Sequence, residues 1–173
     1  MADKLLKKHI LDTSILLKLV LFDINSEQDG YADFIEYFHD QTGFYTYDLC
    51  VTECLAVLKA KTDWPKKEKE ECDNPEKKNP RKQFSFQGYL LAIERLLTMI
   101  RPAHRIRVLQ IDLANQCLCS EAKQLVFREK NIDFVDALII HSTKNRFAKL
   151  VTADRNMSEV AKKECVDVCL FQH

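Results

Sequence analysis

Four acidic residues sit where an open α/β sheet builds its sites. Asp12 directly follows the apolar triplet His9-Ile10-Leu11, and Asp154 lies three residues past Val151, in Val151-Thr152-Ala153-Asp154. Glu53 falls in the first turn expected of a helix after Phe44-Tyr45-Thr46-Tyr47, and Asp136 in the first turn expected of a helix over 133–145. A single acid near a helix start is ordinarily a cap. Four at equivalent strand ends point to a shared role, because sites in such sheets form beyond the carboxyl ends of the strands. Carboxylates gathered at one point repel and raise each other's pKa, and a divalent cation removes that cost. An all-oxygen set of four acids selects Mg2+ or Mn2+ over zinc. Such a centre activates water and binds a phosphate oxygen. Two ions also stabilise both the attacking and the leaving oxygen of a phosphodiester.

Polar neighbours divide into caps and supports. Thr13, Ser14 and Thr152 are candidates to orient the carboxylates through their hydroxyls. They are equally good as plain helix caps and strand-end polar residues. Asp133 precedes Asp136 by about one helical turn. It reads first as a cap, with an outer role at the site as the alternative.

The elements that position these residues follow from hydrophobic period. His9-Ile10-Leu11 reads as a short buried strand, and Asp12-Thr13-Ser14 opens a helix that stays apolar to Phe22. Tyr31, Phe34, Ile35 and Phe38 mark a second helix, which Gly43 ends. Phe44–Tyr47 is a strand, and Val51, Cys54, Leu55 and Leu58 form one face of the next helix. Phe86, Tyr89, Leu90, Ile93, Leu97 and Ile100 mark another, with Pro102 just beyond it. Ile106–Leu109 is a strand, 113–130 a helix, 133–145 a helix, Lys149–Val151 a strand, Ser158–Lys163 a helix and Val166–Leu170 a last strand. Short apolar strands alternating with helices imply an α/β fold: a central, mainly parallel sheet of four to five strands between two helical layers. There is no internal repeat, and 173 residues suggest a single domain over 1–173. One stretch differs. Residues 61–82 hold fourteen charged side chains and three of the four prolines, with Trp64 as the sole large apolar group. That composition predicts a flexible charged loop.

Composition narrows the function. Lys plus Arg equals Asp plus Glu, at 26 each, so no bulk positive field announces a nucleic-acid coat. An enzyme that meets phosphates through a bound metal remains allowed. Seven cysteines cannot all pair within one chain, and no C-x-x-C pair occurs, so buried reduced thiols are expected. Lys4, Lys7 and Lys8 precede an apolar run, but Asp12 and Lys18 interrupt it and no cleavage site follows. With no apolar stretch long enough to span a bilayer, the expected compartment is the cytoplasm and no membrane partner is expected. The only glycines, Gly30, Gly43 and Gly88, exclude a P-loop. Ser14, where a haloacid-dehalogenase-like phosphatase needs an acid, disfavours that class. A receiver-type phosphorylation domain needs an acidic pair before a phospho-accepting Asp, and nothing here supplies it.

Leu11-Asp12-Thr13-Ser14, the segment Val51 to Leu58, the segment Asp133 to Ile139 and Leu150-Val151-Thr152-Ala153-Asp154 together resemble a PIN domain. They are most similar to the VapC-type toxins of toxin–antitoxin pairs, over about Lys8 to Leu170. The resemblance implies a PIN-like three-layer α/β/α fold and an Mg2+- or Mn2+-dependent endoribonuclease. In it Asp12, Glu53, Asp136 and Asp154 are both the catalytic residues and the metal ligands. It also implies a homodimer held inactive by a cognate antitoxin. Asn156 stands where many members carry a further Asp, so a second ion should bind weakly. Met157 stands near a common Phe, a packing change. The stretch 61–82 is longer than the family's usual connection. The basic groups near the last two acids, namely His141, Lys144, Arg146, Lys149 and Arg155, each read first as a solvated helix face, with RNA backbone contact as the alternative. Arg155 is the strongest candidate for RNA backbone contact, because it adjoins Asp154. The alternatives are a non-catalytic PIN-like module that binds RNA or protein, and a PIN nuclease of RNA processing rather than a toxin.

Overall fold

A computed structural model describes residues 8–21, 31–62, 86–101 and 105–171. The chain runs β1 (His9–Leu11), α1 (Thr13–Val20), α2 (Tyr31–Asp40), β2 (Phe44–Tyr47), α3 (Asp48–Thr62), α4 (Phe86–Ile100), β3 (Ile106–Leu109), α5 (Gln116–Glu129), α6 (Phe134–Asn145), β4 (Lys149–Thr152), α7 (Arg155–Lys163) and β5 (Asp167–Leu170). Most of the charged stretch 61–82 lies outside the described residues; Lys61 and Thr62 close α3.

The five strands form one sheet in the order β3-β2-β1-β4-β5, and every pairing is parallel. The sheet is thus wholly parallel and five-stranded. His9 lies level with Phe44 and Lys149, and Leu11 level with Thr46 and Val151. Helices α1, α3 and α4 pack on one another, as do α5, α6 and α7, and the two groups flank the sheet. Parallel strands covered on both faces must be apolar throughout. Accordingly Ile10, Leu11, Leu150 and Val151 are all buried, at the heart of a core that also holds Ile15, Leu16, Phe44, Leu138 and Val160. Gly43 takes φ 76°, in the left-handed region that suits glycine, and turns the chain into β2. Its carbonyl accepts the His9 amide, so this turn also fixes the start of β1. Among the described residues no helix is long and apolar enough to cross a membrane.

Four boundaries or faces differ from the sequence pattern. Helix α3 starts at Asp48, so Glu53 lies in its second turn rather than its first. Helix α5 starts at Gln116, not 113, because the Asn115 side chain accepts the Leu118 amide and caps it there. Helix α7 starts at Arg155, not Ser158, because Asp154 accepts the Met157 amide. Among the described side chains of α4 the buried ones are Ala92 and Leu96, while Leu90 and Leu97 are 50% and 42% exposed. The run Leu90 to Ile100 carries two overlapping apolar stripes, and the one with the smaller side chain faces the core. The described cysteines are free thiols, but only Cys50 and Cys54 are buried; Cys117 and Cys165 are exposed.

Candidate functional site

The strand order sets where a site can form. From β1 the chain moves outward through β2 and β3, then returns to place β4 and β5 on the other side of β1. The order reverses between β1 and β4, and in open α/β sheets the crevice that takes ligands lies beyond the carboxyl ends of the strands at such a point. Asp12 follows β1 and Asp154 follows β4, one on each side of that crevice.

Asp12 is built in firmly. It is the N-cap of α1, and its Oδ1 accepts the Ile15 amide at 3.0 Å and the Ser14 hydroxyl at 2.7 Å. The Thr152 hydroxyl donates to Oδ2 at 2.5 Å. Each hydroxyl also accepts a backbone N–H from the turn that leads to Asp154. Ser14 takes that of Ala153 at 2.8 Å, and Thr152 that of Asp154 at 2.9 Å. The Asp12 carboxylate and the β4–α7 turn are therefore one hydrogen-bonded unit. Burial raises the Asp12 pKa to about 6; hydrogen bonds from Thr152, Ser14 and Ile15 oppose that rise, and the charge of Asp154 adds to it. One further hydroxyl steadies the strand end, since Thr46 on β2 donates to the Leu11 carbonyl at 2.8 Å.

Asp136 comes from the far side of the sequence. Asp133 caps α6 by accepting the Asp136 amide at 2.9 Å, and Asp136 returns the bond by accepting the Asp133 amide at 3.2 Å. This reciprocal box is what a cap residue and an acid three positions on produce. Asp133 is therefore a cap, and it is also a like charge beside Asp136. Burial pushes the Asp136 carboxyl up to about 7, and the charges of Asp133, Asp154 and Asp12 push the same way. Glu53 reaches the site from α3, where its Oε2 accepts the Thr13 hydroxyl at 2.6 Å, next to Asp12 in the chain.

The structure thus places Asp12, Asp136 and Asp154 in one another's field and ties Glu53 to the first residue of α1. Asn156 is exposed in the first turn of α7. Met157 is buried, with its sulfur 3.9 Å from the Thr152 hydroxyl, as a packing residue should be. Hard carboxylate oxygens whose charges oppose one another suit a divalent cation. Among the described residues, no three His, Cys, Asp or Glu side chains converge closely enough to enclose an ion as placed. The fit is one of donor chemistry and shared field rather than of a preformed cage.

The basic candidates separate. Lys144 pairs with Glu164 at 3.3 Å, Lys149 faces Asp167 at 3.9 Å, and His141 is buried with Nδ1 3.8 Å from Glu121. Arg155 is exposed in the first turn of α7, next to Asp154 in the chain. The paired hydroxyl links through Ser14 and Thr152, and the support from Thr46, were not legible as partnerships. The signal was limited to small polar residues at the ends of apolar runs.

An open parallel α/β protein with an acidic crevice at its switch point is the class that this geometry defines. The PIN domain profile matches residues 9–163, and the chain belongs to that family, a family of nucleases. No curated protein sequence matches it. Solved structures that share the fold include two from toxin–antitoxin systems by their names. One is VapBC2 from Rickettsia felis bound to a DNA fragment from their promoter, at 13% identity and a TM-score of 0.56, over 94% of this chain and 98% of that one. The other is FitAcB from Neisseria gonorrhoeae, at 15% identity and a TM-score of 0.56, over 92% and 95%.

Proposed function

We propose that this chain is a divalent-cation-dependent endoribonuclease, with Asp12, Glu53, Asp136 and Asp154 holding Mg2+ or Mn2+. The observation that carries it is the mutual charge of Asp12, Asp136 and Asp154. These acids come from three separate elements, and each of the two with raised pKa is raised in part by Asp154. A stable fold keeps uncompensated acids together at a cost, and a bound cation offsets it. When bound, the ion supplies an activated water and a counter-charge for the phosphate.

The chain's own residues set the stage. Ser14, Thr152 and the Ile15 amide fix the Asp12 carboxylate. The Asp133 box fixes the backbone under Asp136. Thr13 holds Glu53 against α1. Arg155, exposed and next to Asp154 in the chain, is our candidate among the basic groups for contact with an RNA phosphate. Weak binding of a second ion follows from Asn156, whose amide carries no charge.

The biological setting we propose is that of a toxin in a cytoplasmic toxin–antitoxin pair, acting as a homodimer. Both structural neighbours carry toxin–antitoxin names, VapBC2 and FitAcB, which supports the reading. A cognate antitoxin would place an arginine among the carboxylates beside α3 and compete with the cation for the same oxygens. The test is cleavage of single-stranded RNA by the purified chain. We expect activity with Mn2+ or Mg2+, none with EDTA, and a loss of about 100-fold or more in Asp12→Asn. Undiminished cleavage by Asp12→Asn counts against the mechanism. Growth arrest by a folded Asp136→Asn protein, as strong as that by wild type, sinks the toxin role alone.

A further inference from the structure

A carboxylate offers about four lone-pair positions, two on each oxygen. At Asp12 three are taken. Oδ1 accepts both the Ile15 amide at 3.0 Å and the Ser14 hydroxyl at 2.7 Å, and Oδ2 accepts the Thr152 hydroxyl at 2.5 Å. The single position left is on Oδ2. Asp12 can therefore give a cation one oxygen, but not both. The arrangement is held from behind, because Ser14 and Thr152 are anchored by the Ala153 and Asp154 amides. Neither hydroxyl can swing away without releasing the turn.

The number of oxygens a carboxylate gives decides which cation it suits. Ca2+ takes six to eight oxygens at about 2.3–2.6 Å and readily accepts both oxygens of one carboxylate. Mg2+ demands a near-octahedral shell at about 2.0–2.1 Å, which single-oxygen ligands build better. We propose that Ser14 is a positioning residue that restricts Asp12 to single-oxygen coordination through Oδ2, and so biases the site toward Mg2+ and Mn2+ over Ca2+. Thr152 has the complementary task of aiming the oxygen left free. The inference rests on the proposed metal centre and adds to it the origin of its cation preference.

The two hydroxyls should fail differently, which gives the test. The full chain is titrated with Mn2+ alone and with Ca2+ alone by calorimetry, with circular dichroism to confirm folding. Wild type should bind Mn2+ the more tightly. Ser14→Ala frees a position on Oδ1, so the ratio of Mn2+ to Ca2+ affinity should narrow by about 10-fold, mainly through better Ca2+ binding. Ser14→Cys, nearly isosteric with a weak donor, should narrow it in the same direction and serves if alanine unfolds the chain. Thr152→Val leaves Oδ1 full, so both affinities should fall by about 10- to 100-fold with the ratio kept. Thr152→Ser should restore them. A folded Ser14→Ala or Ser14→Cys protein that keeps the wild-type ratio overturns the proposal, as does an equal loss of both cations. Wild type that binds neither cation overturns the metal centre itself, a different failure from an unchanged ratio.

Discussion

Acidic side chains meet opposite treatment at the two ends of α7. At its start, Asp154 stands with Asp12 and Asp136, and the partners on hand are hydroxyls, amides and one another. Just past its end, Glu164 takes Arg128 and Lys144, while the nearby Glu129 takes Lys163 at 2.6 Å and Arg128 at 3.4 Å. The consequences run in opposite directions. The Lys163 hydrogen bond holds the Glu129 carboxyl below its usual range. Burial and like charge hold Asp12 and Asp136 above theirs. The fold thus supplies three cations, Arg128, Lys144 and Lys163, to the acids of α5 and the α7 terminus, yet leaves Asp12, Asp136 and Asp154 in one another's field.

The sharpest way to break that comparison is to neutralise one crevice acid. Asp136→Asn keeps an oxygen to accept the Asp133 amide, so the capping box survives, while the repulsion with Asp154 and Asp12 goes. We expect cleavage to fall by about 100-fold or more. The metal-free protein should nevertheless melt a few degrees higher at pH 8, on the order of 2–5 °C. Activity and stability thus move in opposite directions. An Asp136→Asn protein that melts lower than wild type at pH 8 without metal would show that this carboxylate already has a counter-charge.

A smaller effect follows from pH. For Asp12 and Asp136 the folded-state pKa, at about 6 and about 7, lies above the ordinary carboxyl value of 3.8. The folded state therefore binds more protons than the unfolded state across that interval, and stability falls as pH rises through it. In EDTA the melting temperature should decline from about pH 4 to about pH 7 and then level off with respect to these two groups. Saturating Mn2+ should remove most of the decline, because cation binding displaces those protons. Glu129 contributes the opposite slope, losing stability as pH falls. A melting temperature in EDTA that climbs between pH 5 and 7 would mean that the paired acids dominate and the crevice acids are not strained.

Asp12 and Asp154 are legible as strand-end acids because each comes just after an apolar run, whereas Glu53 and Asp136 lie within helices. His9-Ile10-Leu11 and Lys149-Leu150-Val151 could only be buried strands, and what comes next in a parallel sheet is the site. The face of α4 was not legible, since Leu90, Leu91, Ala92, Ile93, Leu96 and Leu97 supply two stripes at helical spacing. Only packing against α1 and α3 chooses between them. The start of α7 is not legible because Arg155 and Asn156 look like loop residues, whereas the Asp154 cap decides the boundary. His141 and Lys144 are close neighbours of Asp136 in sequence. At about 1.5 Å per helical residue, however, Lys144 lies about 12 Å further along α6. What the sequence could not display was pairing: which hydroxyl holds which oxygen depends on segments about 140 residues apart meeting at the switch point.

The smallest effect belongs to the paired end. Glu164 accepts from Arg128 and Lys144, whose side chains are 57% and 44% exposed while its own is 15% exposed. Replacing it by glutamine removes the charge but leaves an acceptor, and Arg128 still has Glu129 within 3.4 Å. Two partly solvated ion pairs are together worth about 1 kcal/mol or less. Glu164→Gln should therefore lower the melting temperature by no more than a few degrees, about 2–4 °C. Most of that difference should vanish at 1 M salt, where screening shortens to about 3 Å. RNA cleavage should stay within about two-fold of wild type, because the length of α7 separates Glu164 from Asp154. A ten-fold loss of cleavage in a folded Glu164→Gln protein would mean that the two ends of α7 are coupled, and the contrast between them would cease to be one of local charge.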